Sequence, residues 1–218
     1  MNKEQLQVWR VNVRTRTLER SQTPSSWDRL GGRGLIARIL VDEVDASCNP
    51  LGPANMLIFA PGLLVGHMLS SMDRISIGGK SPLTLGIKEA NAGGRTGLHM
   101  ATMGIKVLIL EDQPNEKTLS ILHLSRDGAR WEKADDLAGL GVYETATRLV
   151  DRFGEKVAIA LIGPGGEMQM RAAGIQNLDK DRVPSRIAAR GGLGAVMGSK
   201  GLKAIVFDNT GGHSPAVS

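Results

Sequence analysis

An internal repeat constrains the fold of this chain more than any other feature. When the sequence is shifted by 97 positions, two segments align without a gap. Five residues are identical between them: Gly94/Gly191, Gly97/Gly194, Met100/Met197, Gly104/Gly201 and Lys106/Lys203. The apolar residues that follow also match, and Arg74 falls on Arg171. Upstream, with a gap, Ile58–Gly62 is similar to Leu161–Gly165. The order strand, Pro-Gly, strand, Gly-Gly, helix, strand therefore occurs twice.

A repeat of this length indicates a duplicated domain, not a solenoid of short units. We expect an α+β fold with two similar β-sheets related by a pseudo-twofold axis. The domain is predicted to span residues 1–208, with repeats at about 57–111 and 160–208, and a flexible tail at 209–218. The alternative is that glycine-rich turns before helices resemble each other by chance.

Local patterns predict the individual elements. Alternating or continuous apolar runs predict strands at 8–13, 57–60, 74–77, 105–110, 157–162, 171–175 and 202–207. A hairpin around Asp127-Gly128 is predicted to join 120–124 to 129–133. Helices are predicted at 35–42, 94–103, 142–153 and 192–199.

Two Gly-Gly pairs, Gly93-Gly94 and Gly191-Gly192, each precede a predicted helix. Backbone N–H groups without obstructing side chains at the start of a helix form a phosphate site. Arg95, Arg186 and Arg190 would add charge-assisted donors nearby. If the two halves pack about a twofold axis, the loops come close together and suit a ligand with two similar anionic ends. The alternative is that these glycines allow the helices to pack closely on the sheet.

Other familiar signatures are absent from the sequence. Gly78-Gly79-Lys80-Ser81 resembles the tail of a P-loop, but Arg74 stands where the first glycine is required. Gly32–Ala37 fits G-x-G-x-x-A without a buried strand before it. The single cysteine, Cys48, excludes an intrachain disulfide and any Cys-rich metal or iron–sulfur site made by this chain alone. The four histidines lack ligand-like spacing, and no catalytic triad or acid–base pair is apparent.

Charge and hydropathy limit the compartment and the partners. The net charge of +5 is spread over scattered Lys and Arg residues, and only 3% of residues are aromatic. This pattern disfavours a nucleic-acid surface, although a basic phosphate- or nucleic-acid-binding domain stays open as a third hypothesis. No apolar stretch approaches the length of a membrane span, and the N-terminus lacks the apolar core of a signal peptide. We therefore expect a cytoplasmic protein without a membrane partner.

Five blocks of sequence resemble the tungsten-containing aldehyde:ferredoxin oxidoreductase family, in order and over nearly the whole chain. They are Leu30–Leu35 with Ala37, Asn49–Gly62, Lys80–Thr84 with Ala90–Gly94, Ile162–Glu167, and Arg190–Ile205. The last block, RGGLGAVMGSKGLKAI, is the most specific. The resemblance is to the N-terminal domain of that family, an α+β base of two similar β-sheets.

The resemblance implies a bis-pyranopterin cofactor carrying tungsten or molybdenum, with Mg²⁺ bridging the pterin phosphates. Matched by motif, Asn91 and Ile187 would give backbone carbonyls to the Mg²⁺, an ion that prefers oxygen ligands. Arg74 and Arg186 would contact pterin or phosphate, and Gly93 would line the approach. The remaining expected cofactor-binding positions are Gly94, Arg190, Gly191 and Gly192.

The implied reaction is oxidation of an aldehyde to a carboxylic acid, with electrons passing to ferredoxin. Since this chain holds no iron–sulfur cluster, the resemblance implies a cluster-bearing larger subunit or homologue as partner, and we expect an oligomer. Some loops depart from the family pattern: Leu63–Met68 follows the Pro-Gly, Arg95-Thr96-Gly97 follows the second Gly-Gly, and Asp73 precedes Arg74. These departures favour the alternative hypothesis, a non-catalytic assembly subunit that has lost the metallopterin.

Overall fold

A computed structural model describes residues 6–67 and 69–213, which form twelve strands and five α-helices, numbered here in chain order. The strands of the first sheet are β1 (Gln7–Asn12), β2 (Thr17–Gln22), β3 (Leu57–Pro61), β4 (Ile75–Lys80), β5 (Ile87–Ala92) and β6 (Ile105–Glu111). Those of the second sheet are β7 (Ser120–Ser125), β8 (Gly128–Lys133), β9 (Ala158–Leu161), β10 (Ile175–Asn177), β11 (Arg186–Ala188) and β12 (Leu202–Asp208). The helices are α1 (Gly32–Glu43), α2 (Thr96–Thr102), α3 (Val142–Phe153), α4 (Pro164–Glu167) and α5 (Leu193–Ser199).

The two sheets have the same topology. The first has the order β2-β1-β6-β3-β4-β5, and the second, read in the same direction, has the order β8-β7-β12-β9-β10-β11. The strand that comes first in the chain pairs in parallel with the strand that comes last, β1 with β6 in one sheet and β7 with β12 in the other. All other neighbouring strands are antiparallel. This confirms an α+β fold built of two similar sheets.

The packing is layered because central strands are buried on both faces. In β6, Leu108 and Leu110 lie in the core between the two sheets, whereas Val107 and Ile109 face α1 on the outer side. The corresponding outer face of the second sheet packs against α3. Phe59 and Phe207 meet in the central core, with their ring centroids 6.4 Å apart. Helices α2 and α5 also contribute buried side chains to that central core.

The structure differs from the sequence-based prediction at several strands. The prediction of a strand at 171–175 is wrong: β10 begins only at Ile175. The preceding segment packs against the start of α5 instead, where Gly194 N–H donates to the Ala173 carbonyl at 2.8 Å. Strands β2, β5 and β11 were not predicted. Each of the three is an outermost strand of its sheet. Of the predicted flexible tail, residues 209–213 are described and 214–218 lie outside the described residues.

Strand pairing also corrects the alignment of the two Pro-Gly turns. Leu57 lies opposite Leu110, and Ala158 lies opposite Phe207, so β3 and β9 correspond at an offset of 101 residues. The similarity between Ile58–Gly62 and Leu161–Gly165 had placed them two residues out of register. Gly62 therefore corresponds to Gly163. The carbonyl of each glycine accepts a turn hydrogen bond from the N–H group three residues later in the chain, Val65 N–H for Gly62 and Gly166 N–H for Gly163.

Candidate functional site

A row of polar side chains crosses the β4–β5 edge of the first sheet. Arg74 Nε donates to Asn91 Oδ1 at 2.6 Å, and Asn91 Nδ2 lies 3.4 Å from Ser76 Oγ. The Ser76 hydroxyl donates to Glu89 Oε1 at 2.6 Å, and Arg33 Nε donates to Glu89 Oε2 at 3.0 Å. These five residues, called here the polar row, hold the Arg74 guanidinium in place at the sheet edge.

Strand register explains the polar row. Ser76 lies directly opposite Asn91, and Gly78 lies directly opposite Glu89. Because residues two apart on a strand share a face, Asn91 and Glu89 point to the same side as Ser76. Ser76 and Glu89 were not predicted as site residues because β5 was not predicted; the alternation of Glu89 and Asn91 with Ala90 and Ala92 was the available signal.

The second half of the chain contributes Arg186 to this site. A Cβ built on Gly93 would lie 3.6 Å from Arg186 Cδ and 3.8 Å from Arg74 Nη1. Two guanidinium-bearing side chains, one from each half, therefore lie beside Gly93. Arg74, Asn91 and Arg186 are all exposed, so their polar groups are open to a ligand. The structure thus brings together four residues that the sequence analysis had selected separately.

Asn91 and Ile187 lie on the outer strands of the two sheets. Strand β5 ends the first sheet and β11 ends the second, and these two strands contact each other. The outermost strand of a sheet keeps one row of backbone groups free of ladder hydrogen bonds. Carbonyl groups from both halves can therefore be presented along the same β5–β11 border, beside Arg74 and Arg186.

The other predicted glycines have a packing role in the structure. A Cβ on Gly94 would lie 2.6 Å from the Leu178 carbonyl oxygen, and one on Gly191 would lie 2.6 Å from Lys88 Cβ. A Cβ on Gly192 would overlap the carbonyl oxygen of Arg171. Both Gly-Gly loops thus pack against the opposite half or against the chain beside their own helix. Arg190 is exposed next to the second loop.

Apolar side chains are exposed in the loops that adjoin this edge. Leu63, Leu64, Leu69 and Met72 lie between β3 and β4, and Leu83 and Leu85 lie between β4 and β5. Each exposes at least 39% of its surface. The two loops lie at opposite ends of β4, and exposed apolar side chains of this kind are typical of surfaces that contact another polypeptide segment.

Two negative findings apply to residues 6–67 and 69–213. Within these ranges no three His, Cys, Asp or Glu side chains are grouped so that they could hold a metal ion. None of the helices formed by the same residues is long and apolar enough to cross a membrane.

Comparison with known proteins agrees with the geometry. The sequence profile described as "Aldehyde ferredoxin oxidoreductase, N-terminal domain" matches residues 8–209. The chain is 38% identical over 182 residues to a tungsten-containing aldehyde ferredoxin oxidoreductase of Pyrococcus furiosus, covering 83% of this chain and 29% of the relative. It is 36% identical to the enzyme of that name from Pyrococcus abyssi, covering 91% of this chain and 32% of the relative.

Among solved structures, the active-site complex BamBC of benzoyl coenzyme A reductase, in complex with 1,5-dienoyl-CoA, is similar with a TM-score of 0.87 and 31% identity. That alignment covers 98% of this chain and 32% of the other. The chain therefore spans about a third of the length of the proteins that it matches. On the profile match and these identities together, this chain belongs to the family of aldehyde ferredoxin oxidoreductase N-terminal domains.

Proposed function

We propose that this chain is the module that holds a tungsten or molybdenum bis-pyranopterin in an aldehyde:ferredoxin oxidoreductase-like enzyme. The observation that carries the proposal is the placement of Arg74 and Arg186, from opposite halves, next to each other beside Gly93. A cofactor with two pterin phosphates needs cationic donors from two directions, and the β5–β11 border offers them.

The donor set fits such a cofactor. Guanidinium groups form charge-assisted and often bidentate hydrogen bonds to phosphate oxygens. Mg²⁺ prefers oxygen ligands, which backbone carbonyls on the edge strands at Asn91 and Ile187 would supply together with phosphate. The polar row orients Arg74 before any ligand arrives, which lowers the entropic cost of binding. Within this proposal Gly94, Gly191 and Gly192 shape the loops, and Arg190 adds positive charge beside them.

The bound cofactor would supply the two-electron chemistry by which an aldehyde and water give a carboxylic acid, two protons and two electrons. The residues of this chain would bind and orient the cofactor through its phosphates. Gly93 has no side chain beside the two arginines, and the exposed apolar loops would help to exclude water once they are covered.

Electron transfer to ferredoxin would depend on polypeptide outside these 218 residues. Because the chain spans about a third of its relatives, the proposal includes a cluster-bearing larger subunit or homologous chain, assembled with this one as an oligomer in the cytoplasm. The exposed apolar loops beside the site support such an assembly.

A second candidate is a non-catalytic assembly subunit without metallopterin. Asp73, exposed beside Arg74, favours it because a carboxylate repels phosphate. The close packing of the Gly-Gly loops is equally compatible with a purely structural domain.

Metal analysis of one variant and its control distinguishes these candidates. Protein would be purified anaerobically from its host with any co-purifying chain, then assayed for tungsten, molybdenum and pterin fluorescence. We expect metal and pterin in the wild type, their loss in Arg186→Ala, and their retention in Arg130→Ala. Arg130 is a matched control because it is exposed on β8, a strand at the far side of the second sheet. A wild-type protein without metal and pterin would refute the first candidate and leave the second.

A further inference from the structure

The second half contains a buried ion pair between Lys203 and Glu167. The Lys203 side chain is fully buried, and its ammonium contacts a Glu167 carboxylate oxygen and the Leu140 carbonyl, the latter at 3.1 Å. The other Glu167 oxygen accepts the Gly139 N–H at 2.8 Å. The lysine charge is therefore neutralised inside the protein, as a buried charge requires.

The first half places a lysine at the equivalent position without the carboxylate. Lys106 corresponds to Lys203 at the 97-residue offset, and both lie where the parallel strand pair skips one residue. Lys106 is only 7% exposed. Its ammonium lies 3.5 Å from the Asp28 carbonyl oxygen, and no carboxylate in the described part of the chain is within ion-pair distance of it. Burial lowers the pKa of Lys106, and the more distant Asp28 carboxylate only partly opposes this.

The residue that replaces Glu167 in the first half is a glycine. At the offset of 101 that strand pairing sets for β3 and β9, Glu167 corresponds to Gly66. Gly66 has a φ of +87°, which glycine adopts readily, and it has no side chain to reach Lys106. The loop carrying Gly139 corresponds to the loop carrying Arg29, because matching turn hydrogen bonds flank both residues. The Arg29 N–H is therefore the backbone group equivalent to the Gly139 N–H that binds the carboxylate in the second half.

A cavity lies beside Lys106 and is bordered by Val65 and His67, the two neighbours of Gly66 in the chain. It offers about 40 Å³ to water-sized molecules and is lined by Lys106 and His67 together with apolar residues and backbone. The lining comprises Leu6, Pro61, Gly62, Leu63, Val65, His67, Ala101, Ile105 and Lys106. Since one water needs roughly 10–15 Å³ of such space, the cavity has room for about three or four heavy atoms. That is the size of a carboxylate group with one carbon attached.

We propose that this cavity beside Lys106 binds a carboxylate, which restores in the first half the ion pair that Glu167 makes in the second. The carboxylate would come from a small free acid of the size of acetate, or from an acidic side chain of a polypeptide that covers the Leu63–Leu64 loop. This inference does not depend on the metallopterin, because it uses none of the residues assigned to it.

The test follows the Lys106 Cε resonance in the full chain, labelled with ¹³C-lysine, during titration with sodium acetate against sodium chloride at equal ionic strength. We expect a saturable, acetate-specific shift for Lys106 and none for Lys203, whose carboxylate is already in place. Thermal stability should rise in acetate, and Lys106→Met should abolish that rise whereas Lys180→Met, which removes an exposed lysine, should not. If Lys106 responds to acetate no more than to chloride, the proposal is refuted, even where Lys106→Met fails to fold.

The source of the carboxylate is read from the same resonance in the assembled enzyme. A free acid is indicated if Lys106 still responds to acetate there. An acidic side chain of the partner is indicated if the response is lost on assembly and Lys106→Met weakens assembly about tenfold or more. If the Lys106 resonance does not respond to acetate in the assembled enzyme and Lys106→Met leaves assembly unchanged, an acidic side chain of the partner is excluded as the source of the carboxylate.

Discussion

Replacing Glu167 with alanine should strongly destabilise the fold, because it isolates a buried charge. The Lys203 side chain is 0% exposed and Glu167 is 12% exposed, so water cannot readily replace the lost carboxylate. Removing one member of a buried ion pair costs about 3–5 kcal/mol in general. In the variant, Lys203 keeps its hydrogen bond to the Leu140 carbonyl. The Gly139 N–H can donate to water instead, because Gly139 is exposed. We therefore expect the lower end of that range, about 3 kcal/mol.

The expected loss is large enough for a thermal melt. In a domain of about this size, 1 kcal/mol corresponds to roughly 2–4 °C in Tm, so Glu167→Ala should lower Tm by about 6–12 °C. Glu144→Ala is the matched control, since Glu144 is 54% exposed in its pair with Arg148. Removing that carboxylate should cost less than about 1 kcal/mol.

A double variant identifies the cause of the loss. When both charges are removed, as in Glu167→Leu with Lys203→Met, no buried charge remains without a partner. We expect this variant to be more stable than Glu167→Ala alone. If Glu167→Ala melts within about 2 °C of Glu144→Ala, or if adding Lys203→Met lowers stability further, then the charge of Lys203 is not isolated by the mutation and the reasoning is wrong.

Two other predictions concern packing and pH. Gly198→Ala should destabilise by several kcal/mol, because its Cβ would overlap the Gly166 carbonyl oxygen, whereas Gly86→Ala, with open space around it, should stay within about 0.5 kcal/mol in the same melts. Equal melting temperatures for the two would contradict the close approach of α4 and α5. His99 is fully buried, its Nε2 has no partner within the described residues, and burial lowers its pKa below the usual 6.5. The unfolded chain therefore binds a proton first, so stability should be full above about pH 6.5 and fall as the pH drops below it. In denaturant titrations at several pH values, His99→Val should reduce this loss of stability. If the dependence of stability on pH is unchanged in the variant, groups other than His99 cause the loss.

The elements that could be predicted from the sequence are those in which the spacing of apolar residues matches the buried face of a helix or strand. Helix α3 was predicted with its observed bounds because Val142–Phe153 repeats apolar residues at helical spacing. Strands β6 and β12 were predicted because both contain a run of four apolar residues, at 107–110 and 204–207. In these segments the pattern reports burial on one face or on both, and burial decides the structure.

The strands that were missed lie at the sheet edges, where that signal fails. Strand β5 exposes Ile87 and Lys88, and β2 is exposed along almost its whole length. An edge strand is held by backbone hydrogen bonds to one neighbour and needs no apolar face. Strand β11, with three residues, is too short to show a period. The candidate site lies on β5 and β11, so the residues could be selected by motif while their common location could not be inferred from periodicity.

The two halves of the domain show where function has separated from folding. Their Gly-Gly loops, short helices and strand order are equivalent, and close contacts require glycine at Gly94, Gly191 and Gly192. The polar row has no such counterpart, because strand pairing makes Asn91 equivalent to Ile187, whose side chain is apolar. Conversely, the Lys203–Glu167 pair is complete only in the second half. The shared features, together with the Lys203–Glu167 pair, therefore explain stability, whereas Arg74 with Asn91, and the Lys106 cavity, occur once without a role in holding the fold together. A ligand that binds a nearly symmetric domain in one orientation must contact these positions, because they differ between the two halves. Substitutions at these positions should therefore alter binding more than folding.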